Sequence, residues 1–434
     1  MRILYAALLL MMMLMGAPAA LAAPQISVGL VTGQFTAELA SETDFTAQTV
    51  VNGSVRKEFL FKAGSYYFNA ANGSVNADGQ EFGNIVLRIK ADGVNPVKVN
   101  KKTYRGNIEV MLAPDRKNLI VRNVLPVDEY LYSVVGRTVP VYFPDEAIKA
   151  QAVVMRSYVL WLAENNNYYY DVRAGEKDYV YSGTDMEKRD INKLIDSTRG
   201  EVVLYGGRPA MALYTESSGG YTEDSADVYG KVFPKPYLKS VKDYDSDAPD
   251  YKWERSFDAQ NISSGLLRGG YDIGQIESIR LSPEKPGASD RTDTGRVISV
   301  GFAGSKGNIV VPAAVVRELF SLPSTLFEIE VTRPIPKQLD VPIENYYGME
   351  IGRKEIEIEL KDKEKSENGI AGSIKLISGV DGEKVIFKGR GSGSGLGLSL
   401  WGARQLANDE GNTPGYYKNI LRYYYRNTVV TKIY

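Results

Sequence analysis

The chain has 434 residues and a mass of 47.9 kDa, and with 44% hydrophobic and 24% charged residues it can build two or three domains with a sizeable core. Lys and Arg total 52 against 53 Asp and Glu, a formal charge of −1 that argues against a nucleic-acid binder. There is no Cys and no His, which excludes disulfides, thiol nucleophiles, Cys/His zinc sites and every His-based triad, so proton transfer falls to carboxylates, Lys or Tyr.

The chain opens as a targeting signal. Arg2 supplies a positive start, Ile3 to Met15 is unbroken apolar, and Ala20-Leu21-Ala22 fits the cleavage rule. Gly16 and Pro18 interrupt the run before it reaches the ~20 apolar residues of a membrane anchor. A signal peptide over 1–22 and export to the cell envelope or beyond are expected, with an uncleaved anchor as the alternative.

β-Structure follows. Strands are expected at Ile26–Leu30, Glu58–Phe61, Val86–Ile89 and Ile108–Met111, with turns at Asn52-Gly53, Asn72-Gly73 and Asp78-Gly79. A short helix is expected over Asp128–Val135, after Pro126. Asp145 to Glu164, entered after Pro144, has the strongest helical pattern and is apolar almost all round, as a helix buried inside a domain must be. Its polar Gln151 and Arg156 need partners there.

Further strands are expected at Glu201–Tyr205, Met211–Tyr214 and Val297–Val300. Residues 331–388 read as a surface β insertion, with a charged strand Glu355–Leu360, a Lys/Glu run to Glu367, an Asp381-Gly382 turn and a strand Lys384–Phe387. The chain ends on a Gly-rich stretch, a helix over Ser399–Asn408 and a Tyr-rich helix over Tyr416–Tyr425. The fold class is α+β, with mixed or antiparallel sheets around the buried central helix.

Several motifs fail on inspection. Gly389-Arg-Gly-Ser-Gly-Ser-Gly-Leu-Gly397 lacks the Gly-Lys-Ser/Thr ending of a nucleotide loop and reads as a loop turning tightly beside a groove or another segment. The Ser-x-x-Lys pairs at Ser54–Lys57 and Ser282–Lys285 lack the companion elements of penicillin-recognising enzymes. Asp243, Asp245, Asp247 and Asp250 lack the Gly and closing Glu of a Ca²⁺ loop and read as a solvated loop. The Tyr clusters at Tyr168–Tyr170 and Tyr423–Tyr425 suit half-buried packing. No metal or cofactor is expected.

Four blocks then coincide in order. The first is Tyr104-Arg-Gly, Leu125-Pro-Val-Asp-Glu-Tyr-Leu131, Phe143-Pro-Asp-Glu-Ala-Ile-Lys-Ala-Gln-Ala152 and Arg156-Ser-Tyr158. The second is Tyr181-Ser-Gly183, Thr198-Arg-Gly200, Ala212-Leu-Tyr-Thr-Glu-Ser-Ser-Gly-Gly-Tyr-Thr222 and Pro236-Tyr-Leu238. The third pairs Gly295-Arg-Val297 with Ser324-Thr-Leu-Phe327, and the fourth joins Gly393-Ser-Gly-Leu-Gly-Leu-Ser-Leu-Trp-Gly-Ala403 to Ile420-Leu-Arg-Tyr-Tyr424. Together they resemble the stage II sporulation protein D / amidase enhancer (SpoIID/LytB) family of bacterial envelope proteins.

The resemblance implies work on peptidoglycan glycan strands, beside an amidase or another cell-wall hydrolase. Active family members are lytic transglycosylases, in which one carboxyl group protonates the glycosidic oxygen and then takes the C6 hydroxyl proton as an anhydro sugar closes. It implies a core over 116–330 completed by 389–434, with an N-terminal β-rich domain over 24–115. The family's acid is a Glu just before the Met-Pro that precedes the Phe-Pro block, and here Thr138 holds that position. The family's His positions carry Thr215 and Ser394, and its Gln before the Trp is Leu400.

The acid and its polar neighbours are thus lost together, while Glu146, Lys149, Gln151, Arg156, Ser217, Ser218, Gly219 and Gly220 remain. The reading is a glycan-binding or amidase-assisting protein without normal transglycosylase activity. The candidate contacts are Arg156, Ser217, Ser218, Gly219, Gly220, Ser394 and Trp401. Arg156 is first a buried ion-pair partner, and Trp401 serves either core packing or sugars. The alternative is an active enzyme with a relocated acid, for which Glu216 is the candidate, against a plain exposed loop carboxylate or a partner for Arg156.

Overall fold

The computed structural model describes residues 22–91, 96–166, 168–175, 180–229, 234–284, 287–333, 338–344, 346–357 and 374–434. The signal segment, Lys285 and the charged run to Glu367 lie outside the described residues. The chain forms two compact units. One takes residues 1–213, 407–423 and 427–434, the other 214–406 and 424–426. The division at Leu213 falls inside the segment read from the sequence as one core.

The first unit begins with two antiparallel sheets. The larger runs in the order Val172–Arg173, Gln25–Gln34, Leu119–Pro126, Asn107–Leu112, Val86–Lys90, Phe45–Val51, Ser54–Phe61, with only the outermost Val172 strand parallel to its neighbour. The smaller has Thr36–Ser41 and Gly64–Ala71 at its centre. Phe61 of the first sheet, stacked on Phe45, meets Phe68 and Phe82 of the second, with Phe61 and Phe68 5.8 Å apart. Asn52-Gly53, Asn72-Gly73 and Asp78-Gly79 all have positive φ at both residues, the mirror-image turn that matches the twist of the strands it joins. The three turn signals are therefore hairpins.

Two helices follow. Helix α1, Val127–Thr138, is one turn longer at its C-terminal end than its apolar pattern suggests; α2, Asp145–Asn165, is the buried central helix. Each starts directly after a proline and carries two acidic residues in its first turn, where the helix dipole favours negative charge. Thirteen residues of α2 are buried, from Glu146 to Leu160, among α1, α3 (Arg189–Ser197) and the strand Glu201–Tyr205. That strand pairs with Val429–Lys432, so distant chain segments close this unit.

The second unit has a four-stranded antiparallel sheet (Gly307–Pro312, Ser299–Gly304, Ile276–Arg280, Ile374–Leu376) and a three-stranded one (Lys252–Phe257, Lys384–Arg390, Phe327–Thr332). The helices α4 (Ser225–Tyr229), α5 (Ala259–Arg268), α6 (Ala313–Leu319) and α7 (Leu400–Asp409) start in it, and α8 is Tyr417–Tyr424. Trp253, Ile262, Leu266, Phe302, Phe320 and Phe387 lie in one core.

Two strand expectations shift. Met211–Leu213 is no strand, because Ala212 and Leu213 donate to carbonyls two residues back, and pairing starts at Tyr214–Thr215. The strand expected at Val297 starts at Ser299, after a single bridge between Val297 and Arg291.

Candidate functional site

The motif blocks of the first unit converge on a buried ion pair. Asp128 sits in the first turn of α1, and the Arg156 Nε of α2 donates to its Oδ1 at 2.9 Å. The guanidinium also donates to the Glu201 carbonyl at 3.0 Å and the Ile195 carbonyl at 3.3 Å. The Tyr434 hydroxyl is within 3.1 Å of both Asp128 oxygens. Arg156 is 0% exposed and its donors are spent inside the unit. Its structural reading holds, and it has no surface to offer a ligand.

Glu146 works similarly: its carboxylate receives Lys149 at 2.7 Å and the Tyr417 amide at 3.0 Å, and its own amide donates to Asn412. The Gln151 amide, by contrast, is buried with no hydrogen-bond partner on either atom among the described residues, at a cost on the order of 1–3 kcal/mol. Thr138 is the last residue of α1. Its half-buried hydroxyl turns back on its own helix, donating to the Val134 carbonyl at 2.7 Å.

In the second unit the Ser-Ser-Gly-Gly loop wraps a carboxylate. Asp245 receives the Ser217 hydroxyl at 2.5 Å and the Gly219 and Gly220 amides at 2.8 and 3.0 Å. Asp243 receives the Ser218 hydroxyl at 2.6 Å and the Tyr424 hydroxyl at 2.7 Å. Both aspartates are buried, so the expected solvated loop is corrected for them; only Asp247 and Asp250 are exposed. Ser217 and Ser218 are likewise fully buried, and their hydroxyls are committed to the aspartates. They hold the loop's shape rather than face a ligand. At the other end of the loop, Gly219 and Tyr221 line a groove of 560 Å³ with Asp224, Glu284, Asp293 and Arg390.

The Gly-rich stretch packs on this loop. Ser217 and Ser392 exchange backbone hydrogen bonds, Tyr214–Thr215 pairs in parallel with Leu398–Ser399, and the Thr215 hydroxyl donates to the Ser392 carbonyl at 2.8 Å. Gly393 and Gly395 have φ of +105° and +79°. A Cβ at Gly393 would lie 2.3 Å from the Thr215 hydroxyl, and one at Gly395 would lie 2.5 Å from Arg296 Nε. The glycines serve close packing of backbone on a neighbouring segment, as the sequence suggested.

Arg296 is the tie between the two loops. Its Nη2 donates to the Ser218 carbonyl at 2.6 Å and its Nη1 to the Gly393 carbonyl at 3.3 Å, and Glu223 lies 3.1 Å from its Nε. Sequence reasoning set Asp243 and Asp245 in a solvated loop and gave no role to Glu223 or Arg296, for which the one signal was the place of Arg296 between two residues of a matched block.

The open face of this unit carries different residues. Glu216 is exposed, and its Oε2 accepts from the half-buried Ser392 hydroxyl at 2.9 Å. The Trp401 amide donates to the Glu216 carbonyl at 3.2 Å, which ties the start of α7 to this acid. Trp401 is half-buried with the Arg404 guanidinium 5.1 Å from its ring centre, and Ser394 is exposed. Glu216 and Trp401 are thus brought together, with Ser392 beside the acid. An exposed acid, hydroxyls and an aromatic ring suit hydrogen bonding and stacking to a saccharide.

Burial raises the pKa of Asp243, helped by the charge of Asp245 and opposed by its hydroxyl donors; burial also raises that of Glu223, opposed by Arg296. A carboxyl raised in the folded state binds more protons folded than unfolded. Its stabilising contribution is therefore present below the ordinary carboxylate range and is lost as pH rises through the raised value. We expect these two groups to make the second unit gain stability as pH falls from neutrality toward about 4. Thermal unfolding followed across that range, in wild type and Asp243→Asn, checks this: the variant should flatten the profile, and identical slopes would remove Asp243 as its cause.

Residues 115–205 match the family model described as Stage II sporulation protein. The chain is 24% identical over 411 residues to the "Amidase enhancer" of Bacillus subtilis, covering 91% of this chain and 54% of that protein. It is 29% identical over 179 residues to the "Stage II sporulation protein D" of the same organism, covering 37% and 51%. An uncharacterized protein of Brachyspira hyodysenteriae is 24% identical over 332 residues, covering 75% and 72%. The chain thus spans about half the length of the two named relatives. These matches and the four motif blocks in their order support a place for the chain in the SpoIID/LytB family, that of stage II sporulation protein D and the amidase enhancer.

Proposed function

We propose that this is an exported cell-wall protein that binds peptidoglycan glycan strands and assists a partner hydrolase, an amidase above all, without normal lytic transglycosylase activity. One observation carries the reading. The loop framework keeps its buried hydrogen bonds to Asp243, Asp245 and Arg296, while the position of the family's acid holds a Thr whose hydroxyl is spent on Val134. A hydroxyl is far too weak an acid to protonate a leaving group near neutral pH, and losing general-acid help alone costs about 10²- to 10⁴-fold. Binding needs no such group, and the face around Glu216 and Trp401 remains open.

Glu216 supports the second reading, an active enzyme with a relocated acid, by its place beside Ser392 and Trp401. Against it, Glu216 is exposed to solvent.

The test is co-sedimentation with purified sacculi, followed by mass analysis of the supernatant for anhydro-muropeptides. We expect the protein in the pellet and no soluble fragments. With a formal charge of −1, binding should depend on stacking and hydrogen bonds more than on salt. Protein wholly in the supernatant at low salt would remove the binding reading. Fragments released by wild type and lost in Glu216→Gln would install the alternative.

A further inference from the structure

We propose that an acidic trough on the second unit docks an extended Lys- or Arg-rich segment of a partner protein. Two grooves form it: the 560 Å³ groove at Gly219 and Tyr221, and one of 530 Å³ on the three-stranded sheet. Glu284, Leu326 and Arg390 line both, so the two are continuous. Together they exceed the about 1,000 Å³ of a large small-molecule pocket, which favours a chain over a compact ligand. Strand pairing fixes which side chains share the sheet's open face. Directly paired residues point the same way, so Glu254, Lys388 and Glu328 form one row, with Lys252 beside Arg390 in the next. Trp253, Phe387 and Phe327 alternate with them and enter the core.

Charge selects the occupant. The first groove is lined by Asp224, Asp227, Asp293 and Glu284 against Arg390 alone. The second adds Glu254, Glu328 and Glu330 against Lys252 and Lys388. Seven carboxylates thus face three cations, in a chain whose formal charge is only −1. Lys239 and Arg291 reach Asp224 and Glu328 from outside the lining, at 2.8 and 3.0 Å. Glu254 and Asp293 still have no side-chain hydrogen bond or ion pair among the described residues, and both are exposed. The Tyr221 ring, in the same groove and half exposed, adds a face on which an ammonium or guanidinium can sit. A glycan strand carrying carboxylates is repelled here. The trough is therefore a second surface, and it does not depend on glycan binding.

Arg390 opposes this occupant. Its Nη2 donates to Glu284 where the grooves meet, and the two side chains are 40% and 37% exposed. A solvated pair of this kind contributes little, so a cation of the docked segment takes the place of Arg390 on Glu284 readily. Complementary charge of this kind sets the choice of partner and speeds its encounter.

The experiment uses the full chain and three labelled decapeptides, (Gly-Lys)₅, (Gly-Gln)₅ and (Gly-Glu)₅, read by fluorescence anisotropy. Only (Gly-Lys)₅ should bind, with an affinity that falls as salt rises. Glu254→Gln with Asp293→Asn removes one unpaired carboxylate from each groove and should weaken binding roughly tenfold. Glu81→Gln with Glu277→Gln removes the same charge from exposed positions outside the trough and should leave binding unchanged. Arg390→Gln should tighten it several-fold, a gain that misfolding cannot produce. Equal binding of the neutral or acidic peptide, an equal loss in the two double variants, weaker binding by Arg390→Gln, or no binding at all overturns the proposal. Co-sedimentation with sacculi is read separately, so the glycan reading stands or falls on its own result.

Discussion

Thr138→Glu is expected to release anhydro sugars from peptide-free glycan where the wild-type protein releases none. On the reading proposed above, the substitution puts a carboxyl group at the family's acid position, at the C-terminal end of α1. It gives up only a hydroxyl bonded to the preceding turn, so the fold should tolerate it. Recovery should be partial, because catalytic groups that act as a unit are strongly non-additive. Adding Thr215→His should not help. Thr215 is buried with its hydroxyl bonded to the Ser392 carbonyl, against a stretch where even a Cβ on Gly393 would collide with it. Mass analysis of the digest decides the matter. Wild-type release that Thr138→Glu leaves unchanged would end the reading of Thr138 as a retired acid position.

The largest effect on stability is expected at Asp128. Asp128→Asn keeps the shape and removes the counter-charge of Arg156, which is fully buried beside it. Breaking a buried pair by neutralising one partner costs about 3–5 kcal/mol, because the remaining charge stays desolvated. Replacing both, as Asp128→Leu with Arg156→Met, should lose far less, although the Glu201 carbonyl then loses the Arg156 donor. Urea unfolding of the two variants measures this. A single variant within 1 kcal/mol of wild type would mean that the pair is solvated or dispensable in solution.

These expectations show how unevenly function could be read from the chain. Asn-Gly and Asp-Gly turns act locally, because only small or polar residues accept two consecutive positive φ values, and all three became hairpins. The buried helix was equally legible, since an apolar surface all round leaves no face for water. The division of roles inside the Ser-Ser-Gly-Gly-Tyr block was not. Sequence ranked the serines as ligand contacts and the aspartates as solvated, and burial reversed both.

The sequence by itself determined the α+β class, the exclusion of His and Cys chemistry and the resemblance to the SpoIID/LytB family. Each follows from residue identity or from periodicity over a few neighbours. Only the tertiary structure decided which polar residues face inward. Asp128, Arg156 and Tyr434 meet across 306 positions, and Ser218, Asp243 and Tyr424 across more than 180. A polar side chain carries no local mark of whether its partner is water or a distant chain segment. That choice is made only when folding strips the water away and each buried donor must find an acceptor.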